Sequence, residues 1–300
     1  MIQSQTIELL AVLAIHQNGS FTAAAETLGL TPSALSKAID RLEQRLGARL
    51  FERTTRRVLP TAEGERFVEY ARRAVEEIAA AEDEISGGKV VPRGVLRMHV
   101  GTAFAHHSLL PVLPAFLDAQ PQVEVELTVT DHFADPGRDA FDLAIRTGAL
   151  RADLNLVAHP IATLGRVVCA APPYLAKHGI PKHPDELVQH QCLTVAGVPG
   201  ANRWPFRIGG ESKHIEVGAR VRADSAESVL ILALASAGIA RLTSSVAAGA
   251  LACGNLVPLL AAFHEDETLP LTALYPPGRQ HQAKVKAMLG FLDERFGHTT

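Results

Sequence analysis

Apolar residues follow two rhythms along this chain, and the rhythm changes near Gly94. Before that point the spacing is helical. Leu35, Ala38, Ile39, Leu42 and Leu46 recur every three or four residues and predict one apolar stripe, with Ser33, Ser36, Lys37, Asp40 and Arg41 opposite. Thr31 is placed to cap this helix, Pro32 suits its first position, and Gly47 supplies the left-handed residue that closes many helices. An earlier helix starts at Ser20, runs through Ala23, Ala24, Ala25 and Leu28, and stops at Gly29. Two helices around a short Gly-containing turn predict a helix-turn-helix. From Ala62 to Ile85 a proline-free stretch carries Phe67, Ala71, Ala74, Ile78, Ala81 and Ile85 at alternating intervals of four and three. That seam predicts a helix of ~35 Å. It suits either a partner helix or packing on its own chain. Gly87-Gly88 and Pro92-Arg93-Gly94 then mark a hinge segment.

Beyond Gly94 short strand-like and helix-like segments alternate. Strands are expected at 95–100, 123–130, 142–146, 167–171 and 271–275. Helices are expected at 109–119, from Tyr174, at 225–237 with a stop at Gly238, and at 280–296. This alternation predicts parallel sheets covered by helices, an α/β class. The longest apolar run, 229–240, is shorter than the ~20 residues a bilayer span needs and reads as a buried helix.

Charge changes the picture in one place only. The 300 residues have a formal net charge of −3, which argues against nucleic-acid affinity spread over the whole surface. Lys37, Arg41, Arg45 and Arg49 nevertheless form an i,i+4 row, and Arg53-Thr54-Thr55-Arg56-Arg57 follows at once, with Val58 and Leu59 behind it. A basic hairpin after such a helix is a wing whose cations can reach phosphates or the minor groove. The helix face itself is suited to the major groove. At 47% hydrophobic and 20% charged, with no low-complexity tract, the chain is expected to fold into more than one domain.

The remaining chemistry is sparse. Cys169, Cys192 and Cys253 are far apart and read as buried small hydrophobes; no disulfide or metal is expected. His106-His107 has no Cys nearby and reads as surface or pocket rim. No Gly-x-Ser-x-Gly elbow, dinucleotide fingerprint or Walker loop is present, so neither catalysis nor a cofactor is expected. The amino terminus lacks the basic and apolar regions of a secretory signal, which points to a cytoplasmic protein.

The amino-terminal residues resemble the LysR-type transcriptional regulators. The matching signature is Ser20-Phe21-x3-Ala25, Thr31-x-Ser33-Ala34-Leu35-Ser36, Leu42-Glu43, Leu46-Gly47, Leu50-Phe51-x-Arg53 and Thr61-x-x-Gly64. Pro32 stands where many members carry Gln, and Pro60 interrupts a usually proline-free wing strand. Leu110-Pro111, Phe116, Pro121, the segment 142–148, Pro173-Tyr174-Leu175 and His178-Gly179 extend the likeness. The resemblance implies a winged helix-turn-helix over 1–61 and a dimerisation helix over 62–88. It also implies an effector domain over 89–300, two-lobed and similar to type 2 periplasmic binding proteins. Lobe I would comprise 94–163 and 269–300, and lobe II 164–268. The function implied is a bacterial regulator that senses a small molecule and acts on a pseudo-palindromic operator. Its implied partners are double-stranded DNA, an effector for which a carboxylate is one candidate, a second copy or a dimer of dimers, and RNA polymerase. No membrane is implied. A secreted solute-binding protein or an enzyme on the same two-lobed body is the rival class, and a metal-sensing body a third.

Candidate residues follow. Ser33, Ser36, Lys37 and Arg41 are expected at base edges beside Pro32, and Thr31, Arg53, Arg56 and Arg57 at phosphates or the minor groove. Phe67, Ala71, Ala74, Ile78, Ala81 and Ile85 are expected at the dimer seam. For the effector, ligands in α/β sheets bind beyond strand carboxyl ends. Thr102, Ala103 and Phe104 after the first strand, Thr147 and Gly148 after the third, and Ser225 at a helix start fit that rule. Arg146 suits a carboxylate as well as it suits a salt bridge to Asp142 or Asp139. Trp204, with Gly197 and Gly200 near it, is a candidate pocket wall or ordinary core.

Overall fold

The structure is a computed structural model that describes residues 2–53, 58–85, 91–132, 141–148 and 155–297. Arg56, Arg57 and Asp139 lie outside the described residues, as do the side chains of Arg53, Ala81 and Ile85. The chain forms two compact units, Met1–Val90 and Val91–Thr300.

The first unit runs α1 (Ile2–Asn18), α2 (Phe21–Thr27), α3 (Pro32–Leu46), β1 (Phe51–Arg53), β2 (Val58–Pro60) and α4 (Ala62–Ile85). The expected stripe on α3 is buried at Leu35, Ala38, Ile39 and Leu42, while Leu46 in the last turn is exposed. Leu35, Ile39 and Leu42 are fully covered and join Val12 and Ile15 of α1, Ala24 and Ala25 of α2, and Leu50, Phe51 and Val68 in one core. Each such Val, Leu, Ile or Phe side chain contributes about 1.5–3 kcal/mol on burial. Strands β1 and β2 pair antiparallel from Phe51↔Pro60 to Arg53↔Val58. Pro60 is thus the last residue of its strand, where a missing N–H costs the ladder least.

Two polar side chains fix the wing. Glu43 Oε1 accepts from the Leu50 and Phe51 amides at 2.7 and 3.2 Å. Thr61 Oγ1 donates to Arg49 O at 2.7 Å and accepts from Gly64 N at 2.9 Å, starting α4. A Cβ at Gly64 would lie 2.0 Å from Leu50 O, so only glycine lets helix and wing approach this closely. The Thr61-x-x-Gly64 motif therefore has a steric cause.

Among the described residues the second unit contains two five-stranded sheets and one two-stranded sheet. The first lobe has β3 (Gly94–Val100), a short α5 (Thr102–Phe104) continued by a π-turn at Ala105–Leu109, α6 (Leu113–Ala119), β4 (Val123–Val129), β5 (Leu143–Thr147) and β6 (Val157–Leu164). The chain then enters the other lobe: β7 (Arg166–Ala170), α7 (Pro172–His178), β8 (Cys192–Val195), the hairpin β9 (Arg203–Ile208) and β10 (Glu211–Glu216), β11 (Ala219–Ala223), α8 (Ala226–Leu234), β12 (Ile239–Thr243), α9 (Ser244–Ala252) and β13 (Val257–Pro258). It returns through β14 (Leu269–Tyr275) and α10 (Ala283–Phe296). The sheet orders are β4-β3-β5-β14-β6 and β11-β8-β12-β7-β13.

Three expectations need correction. The sheets are mixed rather than parallel: β14 runs antiparallel to β5 and β6, and β7 antiparallel to β12 and β13, because strands that carry the chain between lobes arrive against the local direction. The helix expected over 109–119 is broken, since Pro111 cannot continue a ladder, and α6 restarts with Pro114 in its first turn. The apolar run 229–240 is a helix only to Leu234 and a strand from Ile239. Gly238 makes that switch: its amide neighbour Ile239 bonds Gln191 O at 2.8 Å, and a Cβ would lie 2.4 Å from the same oxygen.

A buried ionic knot holds the first lobe. Asp142 accepts from Arg97 N at 3.0 Å and pairs with Lys284 and Arg279 at 3.1 and 3.3 Å. Lys284 also donates to Val95 O at 2.6 Å. Side chains of all three charged residues are only 5–6% exposed, so β3, β5 and α10 are tied together away from water.

Candidate nucleic-acid interface and effector site

The sequence builds α3 from its ends inward. Thr31 Oγ1 accepts from Ala34 N at 3.2 Å, Pro32 occupies the first turn, and Gly47 takes φ +68° as the C-cap. The apolar stripe turns into the core, which leaves Thr31, Pro32, Ser33, Lys37 and Arg41 exposed and Ser36 half-buried. The Thr31 and Ser33 hydroxyls lie 3.2 Å apart at the start of this face. The four-cation row is shorter than expected. Arg45 pairs with the buried Glu8 of α1 at 2.6 Å, and Arg49 lies past the end of the helix. Lys37 and Arg41 are the cations that α3 presents beside its hydroxyls.

The seam on α4 is divided. Ala71 is buried and Phe67 packs on the unit's own core, the alternative fate of such a stripe. Ala74 is half-buried and Ile78 exposed, with exposed Tyr70 carrying Arg73 4.4 Å above its ring.

In the second unit Thr102, Ala103, Arg146, Thr147 and Gly148 stand at the carboxyl ends of β3 and β5, while Gly197, Trp204 and Ser225 belong to the other lobe, and several of these residues are already engaged. Arg146 is buried and donates through Nη1 to Thr130 O at 2.6 Å and through Nη2 to His132 O at 2.7 Å. Burial pushes its pKa down and Asp131 pulls the other way. Asp131 Oδ1 accepts from Thr102 N at 2.9 Å. A carboxylate of the chain itself therefore sits where an effector carboxylate was expected, and Asp142 serves the ionic knot instead. Phe104 is core, edge-on to Phe296 at 5.2 Å, and is not a pocket residue. Trp204 is likewise core. Its Nε1 donates to Ala201 O at 3.0 Å among Phe206 and Val217, so it forms no flexible wall. Gly197 is exposed at φ +74° after β8, Thr147 is exposed, and Gly148 N bonds Pro270 O at 2.8 Å. Ser225 Oγ caps α8 by accepting from Ser228 N at 3.1 Å.

Sequence reasoning missed what closes the two lobes on each other. Ala103 packs against the core of the second lobe. His107 Nε2 meets Glu227 Oε2 of α8 at 2.7 Å. Glu227 stands in the first turn of α8, two residues after the cap; that position was the only signal available. Cys169 and Cys192 are buried, with thiols pushed up to about 12 by desolvation. Cys253 is exposed, against expectation.

A reading helix with a wing, attached to a two-lobed α/β body, defines a ligand-responsive DNA-binding regulator. The sequence matches the profile of the bacterial regulatory helix-turn-helix protein, lysR family, over residues 8–65, and that of the LysR substrate binding domain over 90–297. It is 32% identical over 297 residues to the HTH-type transcriptional regulator CrgA of Neisseria meningitidis, covering 99% of both chains. It is 33% identical to DmlR of Escherichia coli, covering 96% of this chain and 94% of that one. The solved structure of CrgA superimposes with a TM-score of 0.64 over 97% of this chain and 98% of that one. The chain belongs to the LysR family of transcriptional regulators. It is a DNA-binding regulator with an effector-binding domain and not an enzyme. Among the described residues no helix is long and apolar enough to cross a membrane.

Proposed function

We propose that α3 enters the major groove of an operator with Ser33, Ser36, Lys37 and Arg41 at base edges beside Pro32, while Thr31, Arg53, Arg56 and Arg57 meet phosphates or the minor groove. One observation carries this: α3 turns Leu35, Ala38, Ile39 and Leu42 into the core and leaves Ser33, Lys37 and Arg41 exposed, with Ser36 half-buried between them. The protein acts as a homodimer in the cytoplasm, joined along the outer part of α4 around Ala74, Ile78, Ala81 and Ile85. Exposed Ile78 supports that seam. Two copies set their reading helices ~34 Å apart on a pseudo-palindrome, and pairs of dimers engage two such regions beside RNA polymerase.

The effector enters between α5 and α8, at Thr102, Ala103, Thr147, Gly148, Gly197 and Ser225, and must part the His107–Glu227 contact. Because Arg146 and Thr102 N are engaged by the chain's own oxygens, the effector is not held by a carboxylate on Arg146. A ligand that binds the parted lobes more tightly shifts their balance and thereby the DNA contacts.

Mobility-shift titration on the operator tests the reading face. Lys37→Ala or Arg41→Ala should weaken binding by roughly 1–3 kcal/mol and relax base preference at one position. Unchanged affinity in both variants would reject the assignment of this face.

A further inference from the structure

The described residues of the effector domain hold one more candidate site, whose lining includes none of the residues of the α5–α8 contact. Beneath the β9–β10 hairpin, between β7, β12 and the segment 258–265, lies a cavity of about 390 Å³. That volume falls within the range of roughly 300–1,000 Å³ typical of small-molecule sites. Its walls are apolar: Val168, Pro205, Phe206, Leu259 and Leu260. Leu260 holds φ +55°, a left-handed conformation that L side chains rarely adopt, and so turns the segment over the cavity. Exposed Ala261 and His264 stand at its mouth.

The polar groups in this cavity are the unusual part. Arg166 Nη2 donates to Arg241 O at 3.1 Å, yet its buried Nε has no hydrogen-bond partner among the described residues. Glu265 pairs through Oε1 with Arg207 at 2.6 Å, yet its buried Oε2 likewise has none. Arg241 pairs with Glu267. Among the described residues that line the cavity, Arg166 and Arg241 are cationic and Glu265 alone is a carboxylate, with Arg207 and Glu267 pairing from outside the lining, so the lining carries one positive charge in excess. Burial and the neighbouring Arg241 push the Arg166 pKa down to about 10, against the pull of Glu267, so it remains cationic at neutral pH. An orphaned buried donor and an orphaned buried acceptor each carry a desolvation cost, which is recovered when a group meets them.

We propose that this cavity is a second small-molecule site, for a monoanion with an apolar body and one hydroxyl, whose carboxylate accepts from Arg166 Nε and whose hydroxyl donates to Glu265 Oε2. An apolar body fills the Phe206–Leu259 wall, and the single negative charge balances the excess cation. Arg166 and Glu265 flank the two places where the chain passes between lobes, before β7 and ahead of β14. A ligand bridging them grips both crossings. The site stands independently of how α3 meets DNA.

The chain's only tryptophan, Trp204, precedes two lining residues and shares their core, so its fluorescence reports occupancy without any DNA present. The probe is 3-phenyllactate, titrated into the full chain by fluorescence and calorimetry. Saturable binding is expected, with a loss of about tenfold or more for the neutral 3-phenyllactamide and a smaller loss for 3-phenylpropionate, which lacks the hydroxyl. Arg166→Gln should weaken the acid about tenfold and leave the amide little changed. Ala261→Phe, at an exposed position, should crowd the mouth and weaken both; it decides the matter if Arg166→Gln fails to fold by circular dichroism. Absence of binding, equal binding of acid and amide, or a site indifferent to both substitutions would overturn the proposal.

Discussion

The outer face of α3 and the strand ends of the first effector lobe are both rich in polar residues, and they use them oppositely. On α3 the cations Lys37 and Arg41 stay exposed beside Ser33, where their charge is still available to another molecule. At the ends of β3, β4 and β5 the same kinds of group are consumed internally: Arg146 by two backbone carbonyls, Thr102 N by Asp131, Asp142 by Lys284 and Arg279. A charged residue in a loop after a strand is therefore no proof of a ligand. What distinguishes a recognition surface is polarity left over once the fold has taken its share.

Substitutions can break this contrast, and the largest effect belongs to the consumed group. Asp142→Ala strands two buried cations and should destabilise the effector domain by about 3–5 kcal/mol in denaturant unfolding, with no direct loss of a DNA contact. A stability near wild type there would mean the knot is not holding the lobe. Thr31→Ala removes the cap of α3 and should cost about 1 kcal/mol of stability in the first unit, read by thermal unfolding. Asp131→Ala, whose partner amide water can reach, should cost about 0.5–1.5 kcal/mol. Should it instead create measurable acetate binding, Arg146 and Thr102 N would be an anion site that Asp131 keeps shut. Lys37→Ala should sit at the small end for folding, within about 0.5 kcal/mol, while lowering operator affinity. If it unfolded the protein, the outer face of α3 would be structural after all.

The first unit was more legible than the second because its signals are local. A cap, a proline, a stripe and a closing glycine all lie within the seventeen residues from Thr31 to Gly47, and each sits in the structure as its spacing implied, except that Leu46 at the end of the stripe is exposed. The class of the effector domain was also readable from alternating segments. Its details were not. Whether Trp204 is a wall or core depends on the hairpin β9–β10, whose partners are fixed by pairing at long range. Arg146 finds Thr130 and His132 across the sheet, and no interval in the sequence announces that meeting. The end of the 229–240 helix was hidden because Ala and Ile suit both states; the backbone of Gln191, nearly fifty residues away, decides it. The seam on α4 failed in part for a simpler reason: the heptad pattern cannot say which turns α1 will cover.

The glycine that opens α4 has a mechanical corollary. With Gly64 pressed onto the Leu50 carbonyl and Thr61 hooked to Arg49, the long helix and the wing have no slack between them. Rotating that helix must swing the wing with it, as a spanner turns a bolt. Any torque delivered to the far end of α4 thus arrives at the wing as a change of angle rather than being lost in a floppy joint.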